Sequence, residues 1–281
     1  MIDSHHHFFD PENRDYPWMT GEAAALRRRF GPEHLQPLLS ASGVDATVLV
    51  QTVGEVAETR EFLATAAETP FIAGVVGWVD LTAPDVGDTI AALRDGPGGE
   101  YLVGIRHQVH DEPDPDWLLR HDVGQGLTAV ADAGLVYDLL LRPRELPAAI
   151  DVTRRIPGLR FVVDHLAKPP IASGEVEEWA TLMRGFAAQE HVACKLSGMV
   201  TEAGPDWTPE QLVPYVGTVL QIFGEDRVMF GSDWPVCTLT ASYDEVVGAL
   251  RSVLGRLGPL TSETLRNIWG DTATRWYHLV P

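Results

Sequence analysis

The sequence predicts an α/β protein: one (β/α)8 TIM barrel, a single domain spanning residues 1–281. Three observations predict it. Short runs rich in apolar and β-branched residues alternate with helical stretches, the pattern of β/α units around a parallel sheet. The alternation recurs eight times in 281 residues, the count and size of a closed barrel. The end of the first run holds histidines, whereas an open, doubly wound sheet usually carries a glycine-rich phosphate turn there.

The eight runs are Met1–Phe8, Ala46–Val53, Phe71–Val79, Tyr101–Val109, Leu135–Leu141, Leu159–Leu166, Val192–Gly198 and Arg227–Pro235. Parallel strands are covered on both faces, so they read as near-continuous apolar runs, as Val75–Val79 and Leu135–Leu141 do. Thr208-Pro209-Glu210-Gln211 supplies a helix start: an N-cap, a proline at the first helical position and a capping-box partner. Gly224 is the matching stop, and Ser242-Tyr243-Asp244-Glu245 repeats the start signal. The segments Pro11–Gln36, Asp111–His121, Ile171–Glu177 and Thr201–Trp207 follow strands, so they belong to the C-terminal face, where barrel active sites are built.

Composition narrows the function. Hydrophobic residues make up 45% and charged residues 22%, an ordinary globular balance. With 21 basic and 40 acidic residues the net charge is −19, which argues against nucleic acid and anionic membranes as partners; the expected partner, on the chemistry of the residues at the strand ends, is a small-molecule substrate. No apolar run approaches the ~18 residues of a membrane span. The start MIDSHHHFFD lacks the basic and apolar segments of a signal peptide. Cys194 and Cys237 cannot form a disulfide framework and read as reduced thiols of a cytoplasmic protein. The sequence leaves a homo-oligomer open.

Residues able to do chemistry gather at the expected strand ends. In Asp3-Ser4-His5-His6-His7, strand alternation turns His5 and His7 to one face and His6 to the other. Two converging imidazoles suit a metal site or proton transfer. A histidine run at a chain start can also be a cloning remnant, but this one is three residues inside a strand-like run. Asp164-His165 ends the sixth run. In Gly231-Ser232-Asp233-Trp234-Pro235, which ends the eighth, an aspartate following Val-Met-Phe is costly to bury unless paired or bound to a cation. In a closed barrel the first and last strands are neighbours, so His5, His7 and Asp233 can meet. Arg106 can bind a carboxylate or hydroxyls bidentately. Gln51 and Trp78 suit hydrogen bonding and stacking against a substrate ring, Trp18 can cover the pocket, and Lys168 and Lys195 can supply charge. For each of these the alternative is packing or a structural ion pair.

Taken in order, His5-x-His7, Asp164-His165-x-x-Lys168-Pro169 and Gly231-Ser232-Asp233-Trp234-Pro235 resemble the amidohydrolase superfamily. The similarity is closer to its branch of metal-dependent TIM-barrel hydrolases acting on sugar lactones, such as L-fuconolactonases and L-rhamnonolactonases. Tyr16-Pro17-Trp18, Gly104-Ile105-Arg106-His107 and Lys195-Leu196-Ser197-Gly198 add to it. The resemblance implies a hydrolase that opens a sugar-derived lactone by water attack. Asp233 would be the base and His165 a second catalytic group. Trp18, Gln51, Trp78, Arg106 and Lys168 would bind the substrate. His5, His7, His165 and Asp233 would hold one divalent ion, zinc before others, or none. Two-metal members carry a bridging carboxylate or lysine on strand 4 and a histidine on strand 5. Here those strands offer Arg106, and Tyr137 with Asp138, so a two-ion centre is not expected. A single-metal decarboxylase on the same scaffold and a non-catalytic ligand-binding barrel are the alternatives.

Overall fold

A computed structural model describes residues 1–280. Its eight strands are β1 (Ile2–His6), β2 (Ala46–Val50), β3 (Ile72–Gly77), β4 (Leu102–His107), β5 (Val136–Leu139), β6 (Arg160–Val163), β7 (Val192–Leu196) and β8 (Val228–Phe230). They pair in sequential order and all in parallel. One strand lies in each expected run. The domain expected over 1–281 extends to Pro281, which lies outside the described residues.

Helices α1 (Pro32–Ser42), α2 (Val56–Glu68), α3 (Val86–Arg94), α4 (His121–Asp132), α5 (Leu146–Arg155), α6 (Glu177–Met183), α7 (Pro209–Phe223) and α8 (Tyr243–Arg256) alternate with the strands. Thr208 and Ser242 cap α7 and α8 in capping boxes, and Gly224 follows α7 in a left-handed turn with φ 74°. Alternate strand residues fill the lumen: Val48, Val50, Val76, Val136, Val162 and Met229 are buried there. Tyr277 and Leu279, at the C-terminal end of the described chain, close the bottom of this layer. No helix among the described residues is long and apolar enough to cross a membrane.

The seam between β1 and β8 positions the site. It is made by residues just beyond β8: His6 bridges Trp234, His7 N–H donates to the Trp234 carbonyl at 2.7 Å, and Asp233 N–H donates to the His5 carbonyl at 2.8 Å. Two expected strand ends are corrected here. β6 stops at Val163, so Asp164 and His165 lie past it; β8 stops at Phe230, so Asp233 does too. The backbone explains both. His165 (φ 53°) through Lys168 (φ 50°) and Asp233 (φ 58°) are left-handed, a conformation that ends a strand and turns the side chain over the barrel mouth.

Candidate active site

The first strand delivers its histidines by parity. Ser4 donates to the Phe230 carbonyl at 2.6 Å and His6 contacts Thr47 Oγ1 at 2.9 Å, both away from the mouth. His5 and His7 face the mouth, with their Nε2 atoms 3.2 Å apart and their rings nearly perpendicular at 85°. His7 Nδ1 lies 2.8 Å from the Val50 carbonyl. A carbonyl only accepts, so Nδ1 carries the proton and Nε2 of neutral His7 is a lone pair.

The other two members arrive from the far strands. Asp233 Oδ1 lies 3.4 Å from His7 Nε2, 3.8 Å from His5 Nε2 and 3.9 Å from His165 Nε2. His165 Nδ1 meets Ser197 Oγ at 2.8 Å. Gly198 makes that approach possible, since a Cβ there would sit 2.8 Å from His165 Nδ1. The structure thus brings His5, His7, His165 and Asp233 to one point.

Arg106 completes the floor. Its Nη1 lies 3.1 Å from Asp164 Oδ2 and 3.2 Å from His5 Nε2. Gln51 holds the guanidinium through its own carbonyl and through Oε1, 3.0 Å from Nη2. Gln51 is fully buried behind Arg106 and does not line the cavity, which corrects its expected contact with substrate. Trp78 is corrected likewise. Its indole N–H donates to His107 Nδ1 at 3.0 Å; His107 Nε2 in turn meets Glu112 at 2.8 Å, and its ring stacks on Trp117. That network satisfies Trp78 away from the cavity. Lys195 is also withdrawn. Its ammonium is buried beneath His5 and is held by Asp138 at 2.6 Å and Asp164 at 3.0 Å.

Above this floor opens a cavity of about 420 Å3. Trp18, Arg106, Lys168, His7, His165 and Asp233 line it, as do Ala23, Thr52, Gln108, His110, Asp111, Leu140, Arg142, Val236 and Leu239. Trp18 is anchored by donation to the Thr52 carbonyl at 3.2 Å, and Lys168 by Glu202 at 2.8 Å. Thr52, Gln108 and Arg142 were not anticipated. All three lie just past the end of β2, β4 or β5, and that position was the available signal.

The electrostatics set the protonation states. Burial lowers the pKa of His5 and His7 and brings that of His165 down to about 4, so all three rings are neutral near pH 7. Burial pushes Asp233 upward, but His165 and His7 beside it hold it well below the usual carboxylate range. The cluster of Asp233, His5, His7, His165 and Arg106 therefore combines one ionised carboxylate, three neutral imidazoles and a guanidinium.

The donor set suits a single divalent ion. The lone pair of His7 Nε2 faces the carboxylate of Asp233 at 3.4 Å, and two acceptors at that distance lack a cation or proton between them. His5, His7 and Asp233 each offer one ligand atom, all within 4.8 Å of one another, a nitrogen–oxygen set of the kind that binds zinc. An overlapping group, His5, Asp164 and His165, meets the same distance test. There Asp164 is already neutralised by Arg106 and Lys195.

Comparison with known proteins identifies the family. The amidohydrolase family model matches residues 2–279. An L-fucono-1,5-lactonase of Burkholderia ambifaria is 43% identical over 244 residues, 87% of this chain and 83% of that one. An L-fucono-1,5-lactonase of Burkholderia multivorans is 37% identical, covering 99% of this chain and 96% of its own. A crystal structure of an amidohydrolase from Burkholderia multivorans with bound zinc superposes with a TM-score of 0.93 at 36% identity, covering 99% of each chain.

Proposed function

The chain belongs to the amidohydrolase family, and from that premise we propose that it is a hydrolase which opens the ring of a sugar-derived lactone. One observation carries the reading. An ionised carboxylate, Asp233, stands among His5, His7 and His165 at the floor of a cavity large enough for one small ring. The two L-fucono-1,5-lactonases similar to this chain support the substrate class.

Each residue's part derives from its partners. Asp233 accepts a proton from water as the water oxygen attacks the lactone carbonyl carbon. The carbonyl oxygen becomes an oxyanion, and Arg106 donates to it from a guanidinium held in place by Gln51 and Asp164. Ser197 can donate its hydroxyl hydrogen to His165 Nδ1, which leaves an Nε2–H on His165 as a second donor. Neutral His7 has no N–H to offer the carbonyl, because its proton is committed to Val50. When the tetrahedral intermediate collapses, the bond from carbonyl carbon to ring oxygen breaks. Asp233 returns its proton to that oxygen, giving a hydroxy acid. Trp18 and Lys168 border the substrate, and Thr52, Gln108 and Arg142 join them.

His5, His7 and Asp233 would hold one divalent ion, which when bound supplies Lewis acidity and lowers the pKa of water. Zinc is the ion this reading names, supported by the donor set and by the zinc-bound relative. The reading places the enzyme in carbohydrate metabolism and in the cytoplasm, where the buried thiols Cys194 and Cys237 stay reduced.

A panel of aldonolactones of both ring sizes, assayed by proton release with and without chelator, tests the proposal. We expect at least one sugar lactone to be hydrolysed with kcat/KM of about 10⁴ M⁻¹s⁻¹ or more. Turnover of none above background would overturn the reading. Carbon dioxide release from an aromatic acid would move it to the decarboxylase.

A further inference from the structure

Asp3 is fully buried on β1, does not line the cavity, and has no part in the chemistry proposed above. Its Oδ1 accepts from the Ser232 N–H at 2.8 Å and from the His5 N–H at 3.2 Å, and its Oδ2 accepts from the Tyr243 hydroxyl at 3.0 Å. These donors are neutral, and no cation pairs with the carboxylate among the described residues. A carboxylate buried without a cation costs the fold more than an apolar side chain of the same shape. Stability alone therefore does not account for an aspartate here.

What it holds does. Its Oδ1 ties together the two segments that carry the site. On one side is β1, which shifts register between Asp3 and His6, the stretch that presents His5. On the other is the turn after β8. Asp233 sits in that turn with a left-handed backbone, φ 58°, which a residue with a side chain keeps only where its surroundings over-determine it. Two successive N–H groups of the turn are fixed on β1: that of Ser232 on the Asp3 carboxylate, and that of Asp233 on the His5 carbonyl at 2.8 Å. The other bonds of the seam, from Ser4 to the Phe230 carbonyl and from His7 to the Trp234 carbonyl, lie to either side of this pair.

We infer that Asp3 is a positioning residue for Asp233: its carboxylate fixes the left-handed turn that sets the base among His5, His7 and His165. Tyr243, at the start of α8, holds the carboxylate from behind. The inference rests on the reading of Asp233 as the base.

The test is Asp3→Ala, with Asp3→Leu beside it, since leucine has the shape of aspartate and leaves no void. On the lactone that the wild type turns over, each should lower kcat about tenfold to a hundredfold, with KM within about threefold. Asp3→Asn keeps an oxygen for the two N–H groups and an amide for the Tyr243 oxygen, and should retain about a third or more of kcat. Ser4→Ala removes a bond of the same seam, and should lower Tm while leaving kcat within about twofold. Added to Asp233→Asn, Asp3→Ala should cost less than about threefold more, because the group it positions is already lost. Unchanged kcat in the Ala and Leu variants, no rescue by asparagine, an equal loss in Ser4→Ala, or a full further loss on Asp233→Asn overturns the inference. So does failure of both variants to fold, which would make Asp3 a residue of the fold alone. Should the wild type hydrolyse no lactone, the proposed function fails and a crystal structure of the folded variant decides the positioning. Asp233 Oδ1 should then leave its place 3.4 Å from His7 Nε2 by about 1 Å or more. An unmoved Asp233 overturns the inference.

Discussion

Among the residues, Asp233 bears the heaviest chemical demand, and Asp233→Asn tests it most directly. Asparagine matches aspartate in shape, and it is among the few residues that tolerate the left-handed backbone of this position, φ 58°. The fold should therefore persist, with an unaltered circular dichroism spectrum. Removal of a general base lowers the rate by ~10²–10⁴-fold, and kcat should drop by that amount at matched zinc occupancy. Retention of a third of wild-type kcat would transfer the base role to His165. Asp233 and the histidines were legible because two general facts locate them: side chains alternate along a strand, and the first and last strands of a barrel adjoin. Gln51 and Trp78 were misread because their partners, Arg106 and His107, come from a neighbouring strand. No pattern within one strand specifies what the next strand places beside it. The buried role of Lys195 was hidden for the same reason, since Asp138, Asp164 and His5 come from three other segments.

Elements carry the next level of argument, because the site stands on the turns at the C-terminal ends of the strands. Gly198 links β7 to the short helix Met199–Ala203 and has φ 66°. A methyl group there would press on His165 at 2.8 Å and add left-handed strain of ~1–2 kcal/mol. Gly198→Ala should therefore displace His165 and lower kcat by about tenfold or more, since misplacement of a catalytic group by ~1 Å can cost ~10²-fold. Gly174→Ala is the control: its φ is 74°, yet a Cβ there meets no atom within 4 Å. Equal loss in both variants would show that strain rather than His165 is responsible. The same strand ends predict ion stoichiometry. β1 and the turn after β8 offer an open set, whereas Asp164 after β6 already faces Arg106 and Lys195. Elemental analysis of protein loaded with excess zinc and desalted should return about one ion per chain; a value near two would contradict this reading. Strand and helix starts were legible from apolar runs and from the caps at Thr208 and Ser242. Strand ends were not, because left-handed turns at His165 and Asp233 are written in non-glycine residues that carry no turn signal.

For the whole molecule, the eightfold alternation made the barrel legible, but not how its seam closes, which depends on Trp234 beyond the last strand. Closing it buries four histidines, with a consequence for stability in acid. Burial lowers His6 to about 3 and His165 to about 4, and also lowers His5 and His7. An unfolded chain protonates histidine near pH ~6.5. Between that pH and about 4 the unfolded state takes up protons that the folded state refuses, so stability present above pH ~6.5 is lost as pH falls. Three buried carboxylates work the other way. Burial raises Asp3 to about 6 and also raises Glu58 and Asp138, so the fold retains protons there that the unfolded chain has released. The lowered histidines, His107 among them, outnumber the raised carboxylates, so the unfolded state holds more protons near pH 5 and stability falls as pH drops toward it. Thermal melts of chelator-treated protein should show Tm falling steadily from pH 7 to pH 5, and nearly constant from pH 7 to pH 8. A Tm that stays level or rises toward pH 5 would mean that the histidines take up protons inside the fold. The site would then hold imidazolium where the mechanism requires neutral rings around Asp233.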